Sequence, residues 1–159
     1  MGLSSNLAVH FSSGKTDWST PQDFFDELNE EFHFTLDPCA TEENAKCEKF
    51  YTKEDDGLLQ SWRNHNVFVN PPYGREIGLW MEKAFEEWSK GDCDIVALVP
   101  ARTDTRWFHD FVYEPMKRAN PFVAQTIEIK FIKGRLKFGG AKHAAPFPSM
   151  LVIYRRWKG

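Results

Sequence analysis

The run Ile95-Val96-Ala97-Leu98-Val99, closed by Pro100, constrains the fold of this chain more than any other stretch. An apolar strand with no polar alternation has to be covered on both faces, which is the situation of a strand inside a parallel sheet flanked by helices. Val67-Phe68-Val69 is a shorter run of the same kind. The covering helices are legible too. Ile77, Trp80, Met81, Ala84 and Trp88 recur at the 3.6-residue period over residues 75–89, and Gly91 stops them. Phe24, Leu28 and Phe32 predict a helix to about residue 31, with Thr20 as N-cap and Pro21 at the first helical position. Trp107 and Phe111 mark one side of a helix over 103–113. Residues 126–132 and 149–154 read as two closing strands. Between the main elements, 32–36 alternates as a short strand ending at Asp37-Pro38, 42–47 reads as a short helix, 49–52 as a brief strand and Asp56-Gly57 as a turn. Strands alternate with helices first and crowd together at the end, which indicates an α/β fold with a mixed sheet and an antiparallel edge.

A chain of 159 residues fits one domain with a substantial core. Residues 1–14, small and polar without period, are expected to form a flexible N-terminal arm, and residues 15–159 the single domain. With no apolar run of membrane-spanning length and no signal-peptide pattern at residues 1–11, a soluble, cytoplasmic protein is expected. Cys39, Cys47 and Cys93 make an odd set without a C-x-x-C pair, so reduced thiols and no metal are expected. Gly14-Lys15-Thr16 suggests a phosphate loop, but the required earlier glycine is replaced by Val9 and no strand precedes it.

The net charge of −3 conceals an asymmetry. Residues 1–57 hold 4 basic and 13 acidic side chains, whereas residues 126–159 hold 8 basic and 1 acidic. The C-terminal set, Lys130, Lys133, Arg135, Lys137, Lys142, Arg155, Arg156 and Lys158, reads either as a phosphate-contacting surface or as a solvated basic face.

Directly after Val67-Phe68-Val69 stands Asn70-Pro71-Pro72-Tyr73, which resembles the active-site loop of methyltransferases that act on planar amino groups. The lone pair of such a nitrogen is delocalised, and two hydrogen-bond acceptors are needed to turn it outward. The Asn70 side-chain oxygen and the Pro71 carbonyl can each accept one substrate N–H. Two prolines hold that carbonyl in extended geometry. Tyr73 offers a face on which a flat base can stack.

Thr20-Pro21, Asp37-Pro38-Cys39-Ala40, Asp55-Asp56-Gly57-Leu58 and Asn70-Pro71-Pro72-Tyr73-Gly74 occur in that order. Ala97-Leu98-Val99-Pro100-Ala101-Arg102, Phe131-Ile132-Lys133-Gly134-Arg135-Leu136-Lys137-Phe138 and Ala145-Pro146-Phe147-Pro148-Ser149-Met150 follow them. Together they resemble the phage-encoded DNA N6-adenine methyltransferases, the Dam-like phage family, over roughly residues 15–154. The resemblance implies an abbreviated Rossmann-like fold and S-adenosylmethionine as cofactor. Thr20, Pro21, Asp37, Cys39, Ala40, Asp55, Asp56 and Asn70 would form the cofactor site, with Asp37 meeting the methionine amino group or ordering water around it. Asp55 or Asp56 would meet the ribose or adenine, and Thr20-Pro21 would close over the methionine end. Asn70, Pro71, Pro72 and Tyr73 would be catalytic, acting on a flipped-out adenine of double-stranded DNA, often within GATC. Many adenine methyltransferases carry Asp at the position of Asn70. Arg102, Lys133, Arg135, Lys137 and Lys142 would contact DNA, and loops at about 102–125 and 133–147 would read the target. Phe138 or Phe147 packs either on the flipped base or in the core.

The resemblance also implies a phage or prophage protein acting in the bacterial host cytoplasm, and the small size invites a homodimer. Related loops modify RNA bases and a protein glutamine amide, and a catalytically silent DNA-binding remnant would keep the same fold. Two departures stand out. Residues 37–47 contain no glycine, so the usual glycine-rich turn after the first strand is absent. Only 33 positions separate Asp37 from Asn70, too few for the usual run of elements.

Overall fold

The computed structural model describes residues 18–118, 126–140 and 143–156. The expected arm at 1–14 lies outside the described residues. Six strands form one sheet: β1 (Leu36–Asp37), β2 (Lys49–Phe50), β3 (Asn66–Val69), β4 (Asp94–Pro100), β5 (Thr126–Phe131) and β6 (Ser149–Arg155), in the spatial order β2-β1-β3-β4-β6-β5. The pairs β2/β1, β1/β3 and β3/β4 are parallel; β6 runs antiparallel to both β4 and β5. The mixed sheet with an antiparallel edge is the one the pattern predicts.

Strand alternation sorts the apolar runs onto two faces. Val67, Val69, Ile95, Ala97, Val99, Val152 and Tyr154 pack on one side against helix α2 (Ile77–Ser89) and helix α3. Helix α3 comprises Arg106–Phe108, a π-turn at His109–Tyr113 and Glu114–Arg118. Phe68, Val96, Leu98, Leu151 and Ile153 face the other way, toward Phe25 and Phe32 of helix α1 (Gln22–Phe32) and toward Phe138 and Ala145. Every residue of β4 is buried, as a strand covered on both faces must be. The π-turn has a local cause. Pro115 brings no N–H to the carbonyl four residues back, that of Phe111, and the buried Tyr154 hydroxyl donates to that carbonyl at 2.7 Å instead.

Three local expectations are corrected. Residues 42–44 form a turn rather than a helix over 42–47. Thr41 and Asn44 cap each other across that turn, and the Lys46 N–H is drawn to the Asp37 carboxylate at 3.0 Å instead of continuing a helical ladder. The strand expected over 32–36 shortens because α1 runs to Phe32 and ends in a left-handed His33, which leaves only Leu36–Asp37 to pair. Finally, no side chain caps α1; the Thr20 hydroxyl is engaged with Asn70.

The chain steps from β1 outward to β2 and then returns to β3 on the other side of β1. That reversal opens a crevice beyond the carboxyl ends of β1 and β3, the standard place for ligands in open α/β sheets. Asp37 ends β1 and Asn70 follows β3, so both reach that edge. No helix connects β2 to β3. Closure there depends on Gly57, where an added Cβ would come within 2.0 Å of the Pro38 carbonyl oxygen. The preceding residue, Asp56, takes a positive φ of 57° to make the turn. The segment is pinned from below: Trp62 Nε1 donates to the Gly57 carbonyl at 3.0 Å, and the Trp62 N–H donates to the buried Glu87 carboxylate of α2 at 2.6 Å.

Candidate active site

Asp37 is buried and its two carboxylate oxygens accept the N–H groups of Cys39, at 3.4 Å, and Lys46, at 3.0 Å. Burial raises its pKa to about 6, against the opposing pull of those two N–H groups and of the Lys46 charge. Around it lies a cavity of about 590 Å³ lined by Thr20, Asp37, Cys39, Ala40, Asn44, Asp56, Asn70, Pro71 and Trp80, among others. Of the predicted cofactor residues, Thr20, Asp37, Cys39, Ala40, Asp56 and Asn70 share this one wall. Pro21 and Asp55 do not line it. Pro21 starts α1, its carbonyl accepting the Phe25 N–H at 3.0 Å, and the Asp55 carboxylate closes its own loop by accepting the Thr52 N–H at 2.9 Å. Between the two adjacent acids, the geometry therefore turns Asp56 toward the cavity. The Cys39 and Cys47 thiols are pushed up to about 12 by burial first and by the Asp37 charge second, so neither is a thiolate nucleophile at neutral pH.

Asn70 stands at the boundary of this cavity. Its Nδ2 donates to the Trp18 carbonyl at 2.6 Å and lies 3.2 Å from the Thr20 hydroxyl. A carbonyl only accepts, so the nitrogen has to face Trp18 and the amide cannot be turned over. The amide oxygen consequently points the other way, where it is buried with no hydrogen-bond partner among the described residues. A buried acceptor without a donor costs on the order of 1–3 kcal/mol and marks a place where a ligand donor belongs.

Past the two prolines, Tyr73 faces a second cavity of about 980 Å³, lined by Trp18, Arg75, Pro100, Arg102, Thr105, Arg106, Trp107, Asp110 and Phe147, among others. Tyr73, Trp18, Phe138 and Phe147 form one aromatic cluster with ring centroids 5.3–6.2 Å apart. Burial raises the Tyr73 pKa, so its hydroxyl stays protonated and reaches toward the Leu98 carbonyl at 3.5 Å. Phe138 is buried at 2% exposure and belongs to the core, whereas Phe147 also borders the cavity.

The predicted basic contacts divide. Arg102 lines the second cavity and lies over the Phe147 ring at 6.0 Å. Lys133, Arg135 and Lys137 are exposed on the segment that leaves the carboxyl end of β5, at the same sheet edge as Asn70. Arg135 also donates to the Ala145 carbonyl at 3.3 Å. Lys142 lies outside the described residues, as does Lys158. Arg155 and Arg156, read from sequence as part of the same basic surface, sit at the opposite edge because β6 is reversed. Arg155 pairs with Glu31 and Glu128, at 2.9 and 3.2 Å, and Arg156 approaches Asp94.

Trp18 is the residue of the candidate site that the sequence pattern does not single out. It lines both cavities and anchors Asn70 through its main chain. The available signal was a lone tryptophan next to Thr20-Pro21 in an otherwise small and polar stretch. The Lys46 N–H on Asp37 had no side-chain signal at all.

An α/β sheet with this order, an acid ending β1 and Asn-Pro-Pro-Tyr after β3 is an abbreviated Rossmann-like methyltransferase fold. The family model for DNA N-6-adenine-methyltransferase (Dam) matches residues 9–159, and the chain belongs to that family. It is 39% identical over 93 residues to the DNA N-6-adenine-methyltransferase of Escherichia phage T1, an alignment covering 57% of this chain and 38% of that protein. It is 31% identical over 98 residues to the DNA N-6-adenine-methyltransferase of Haemophilus phage HP1, covering 60% and 56%. The matched regions thus span well under two thirds of either relative's length.

Proposed function

We propose that this chain transfers a methyl group from S-adenosylmethionine to the exocyclic N6 amine of adenine in double-stranded DNA. The observation that carries the reading is the buried, partnerless Asn70 Oδ1, held in orientation from behind and followed by two prolines. The cofactor fits the smaller cavity. Asp37 places a buried carboxylate for an ammonium group, Asp56 lies farther along the same wall, and Gly57 keeps that wall close. When bound, S-adenosylmethionine supplies an electrophilic methyl group on a sulfonium.

The chain's residues act on the amine. Asn70 Oδ1 accepts one N–H, and the Pro71 carbonyl, to which no described residue donates, accepts the other. Both acceptors stabilise the positive charge that develops on nitrogen; the methylated amine is then strongly acidic and gives up its extra proton to water, so no strong base is needed. Trp18, Tyr73 and Phe147 supply aromatic surface for an extruded base, and Arg102 with the exposed Lys133 and Lys137 supply charge for the phosphates. GATC is the first sequence to test.

Asn70→Ala should slow methyl transfer by about 10²–10³, by analogy with removing one preorganised oxyanion-hole partner. Calorimetric cofactor affinity should change little. Labelled cofactor incubated in parallel with DNA, RNA and a glutamine-bearing protein substrate should label DNA adenine. Near wild-type methylation by a folded Asn70→Ala variant would sink the reading.

A further inference from the structure

The Thr20-Pro21 resemblance assigns this pair to closing over the cofactor, yet the Thr20 hydroxyl lies 3.2 Å from Asn70 Nδ2 and Thr20 is buried at 4% exposure. The Trp18 carbonyl accepts from the same nitrogen at 2.6 Å. Together they occupy the donor side of the amide, which leaves its oxygen facing the substrate. Nothing within Asn70 imposes that choice, because a terminal amide torsion is broad and roughly two-fold. The Trp18 carbonyl, which can only accept, imposes it, and the Thr20 hydroxyl secures the nitrogen once it is turned that way. We propose that Thr20 is a positioning residue for the methyl-transfer step, securing the Asn70 amide in the orientation that the Trp18 carbonyl selects, with its oxygen toward the substrate amine. This role rests on the reading of Asn70 given above.

The segment that carries Thr20 is itself held. The Gly139 N–H donates to the Ser19 carbonyl at 2.9 Å, and Asn44 Nδ2 donates to the Ser19 hydroxyl at 3.3 Å. The Trp18 ring packs on Phe138 and Phe147 at 5.5 and 5.3 Å. Three separate loops therefore grip residues 18–20. The segment cannot follow a rotating amide; it dictates the rotation.

Thr20→Val preserves the shape and removes the acceptor, and Thr20→Ser restores the acceptor. The readouts are single-turnover methyl transfer to a DNA duplex at saturating cofactor, and cofactor affinity by calorimetry. Thr20→Val should slow the saturated step by about tenfold, the worth of one ordinary hydrogen bond, with cofactor affinity within about twofold; Thr20→Ser should recover most of the rate. Asn70→Asp gives an independent measure. Its carboxylate sets an oxygen against the Trp18 carbonyl, whereas the protonated carboxyl can donate there and still present an acceptor. Its rate relative to wild type at the same pH should therefore rise as pH falls. Full saturated activity in Thr20→Val with weakened cofactor binding would return Thr20 to the cofactor site and overturn the proposal; a pH-independent Asn70→Asp ratio would overturn the orientation at the Trp18 carbonyl that Thr20 is proposed to secure, and the proposal with it. If Asn70→Ala is inactive while Thr20→Val matches wild type, only the positioning role fails; an active Asn70→Ala removes the reading beneath it.

Discussion

The two cavities beside Asn70-Pro71-Pro72-Tyr73 share one loop and Trp18 but are built from different materials. The smaller has a wall of main chain, the buried Asp37 carboxylate and small side chains, closed by the rings of Trp18, Phe68 and Trp80, and its shape is set where loops touch. The larger is walled by aromatic rings and by Arg75, Arg102 and Arg106. Backbone and a fixed charge suit a ligand of constant shape, whereas rings and guanidinium groups suit a flat base with phosphates alongside. In the proposed reaction Asn70 stands between them, so it alone should affect chemistry without greatly changing either binding event. The difference teaches that this loop is a partition between two unlike cavities and, in the proposed reaction, the active site as well.

That separation can be broken experimentally. After Asn70→Ala, the largest effect belongs to Asp37→Ala, which should weaken S-adenosylmethionine by about 10–10² while DNA affinity holds, because a charge-assisted hydrogen bond contributes roughly 1.5–3 kcal/mol. Calorimetry on both ligands checks this, and an equal loss of DNA binding would erase the distinction.

Wild-type cofactor affinity should also fall as pH drops through about 6, where Asp37 takes up its proton and ceases to attract an ammonium group. The sign for the free protein is opposite. The folded carboxyl keeps its proton up to about 6 and the ordinary value is 3.8, so the folded state binds the extra proton between them and stability declines as pH rises across that window. Thermal unfolding of wild type against Asp37→Asn across pH 4–7 would show whether that slope belongs to Asp37.

A smaller effect distinguishes the two groups of basic residues. Lys133→Ala and Lys137→Ala should each reduce the slope of log DNA affinity against log salt by about 0.9, whereas Arg155→Ala should leave the slope alone and lower only thermal stability. An unchanged slope in the lysine variants would place the DNA face elsewhere. Smallest of all is Tyr73→Phe, which removes a long 3.5 Å hydrogen bond and keeps the ring. Activity within about threefold of wild type is expected, because a net hydrogen bond of ordinary geometry is worth only about 1 kcal/mol and this one is stretched.

Much of the sheet was legible because its signals are local. Unbroken runs at Ile95–Val99 and Val67–Val69 can satisfy their burial in few ways, and the α2 stripe from Ile77 to Trp88 is buried as its period requires. The residue types lining the smaller cavity were legible for a related reason, since the roles proposed for Asn70, Asp37 and Asp56 belong to their side chains. What escaped was main-chain chemistry. The Trp18 carbonyl, the Lys46 N–H and the Ser19 carbonyl carry no identity that a sequence displays. Arg155 and Lys133 were grouped for a different reason. They are near each other in a list of charges, and only the reversal of β6 sends them to opposite ends of the sheet.

The contact of Gly57 with Pro38 has a mechanical consequence. With no helix between β2 and β3, the stiffness of the wall at Gly57 comes from direct contact with Pro38 and Trp80 rather than from mass. Asp56 on one side of that contact and Asp37 on the other are therefore two arms of one rigid bracket. Any side chain at position 57 would force the arms apart, altering the spacing between the two carboxylates along the cavity wall.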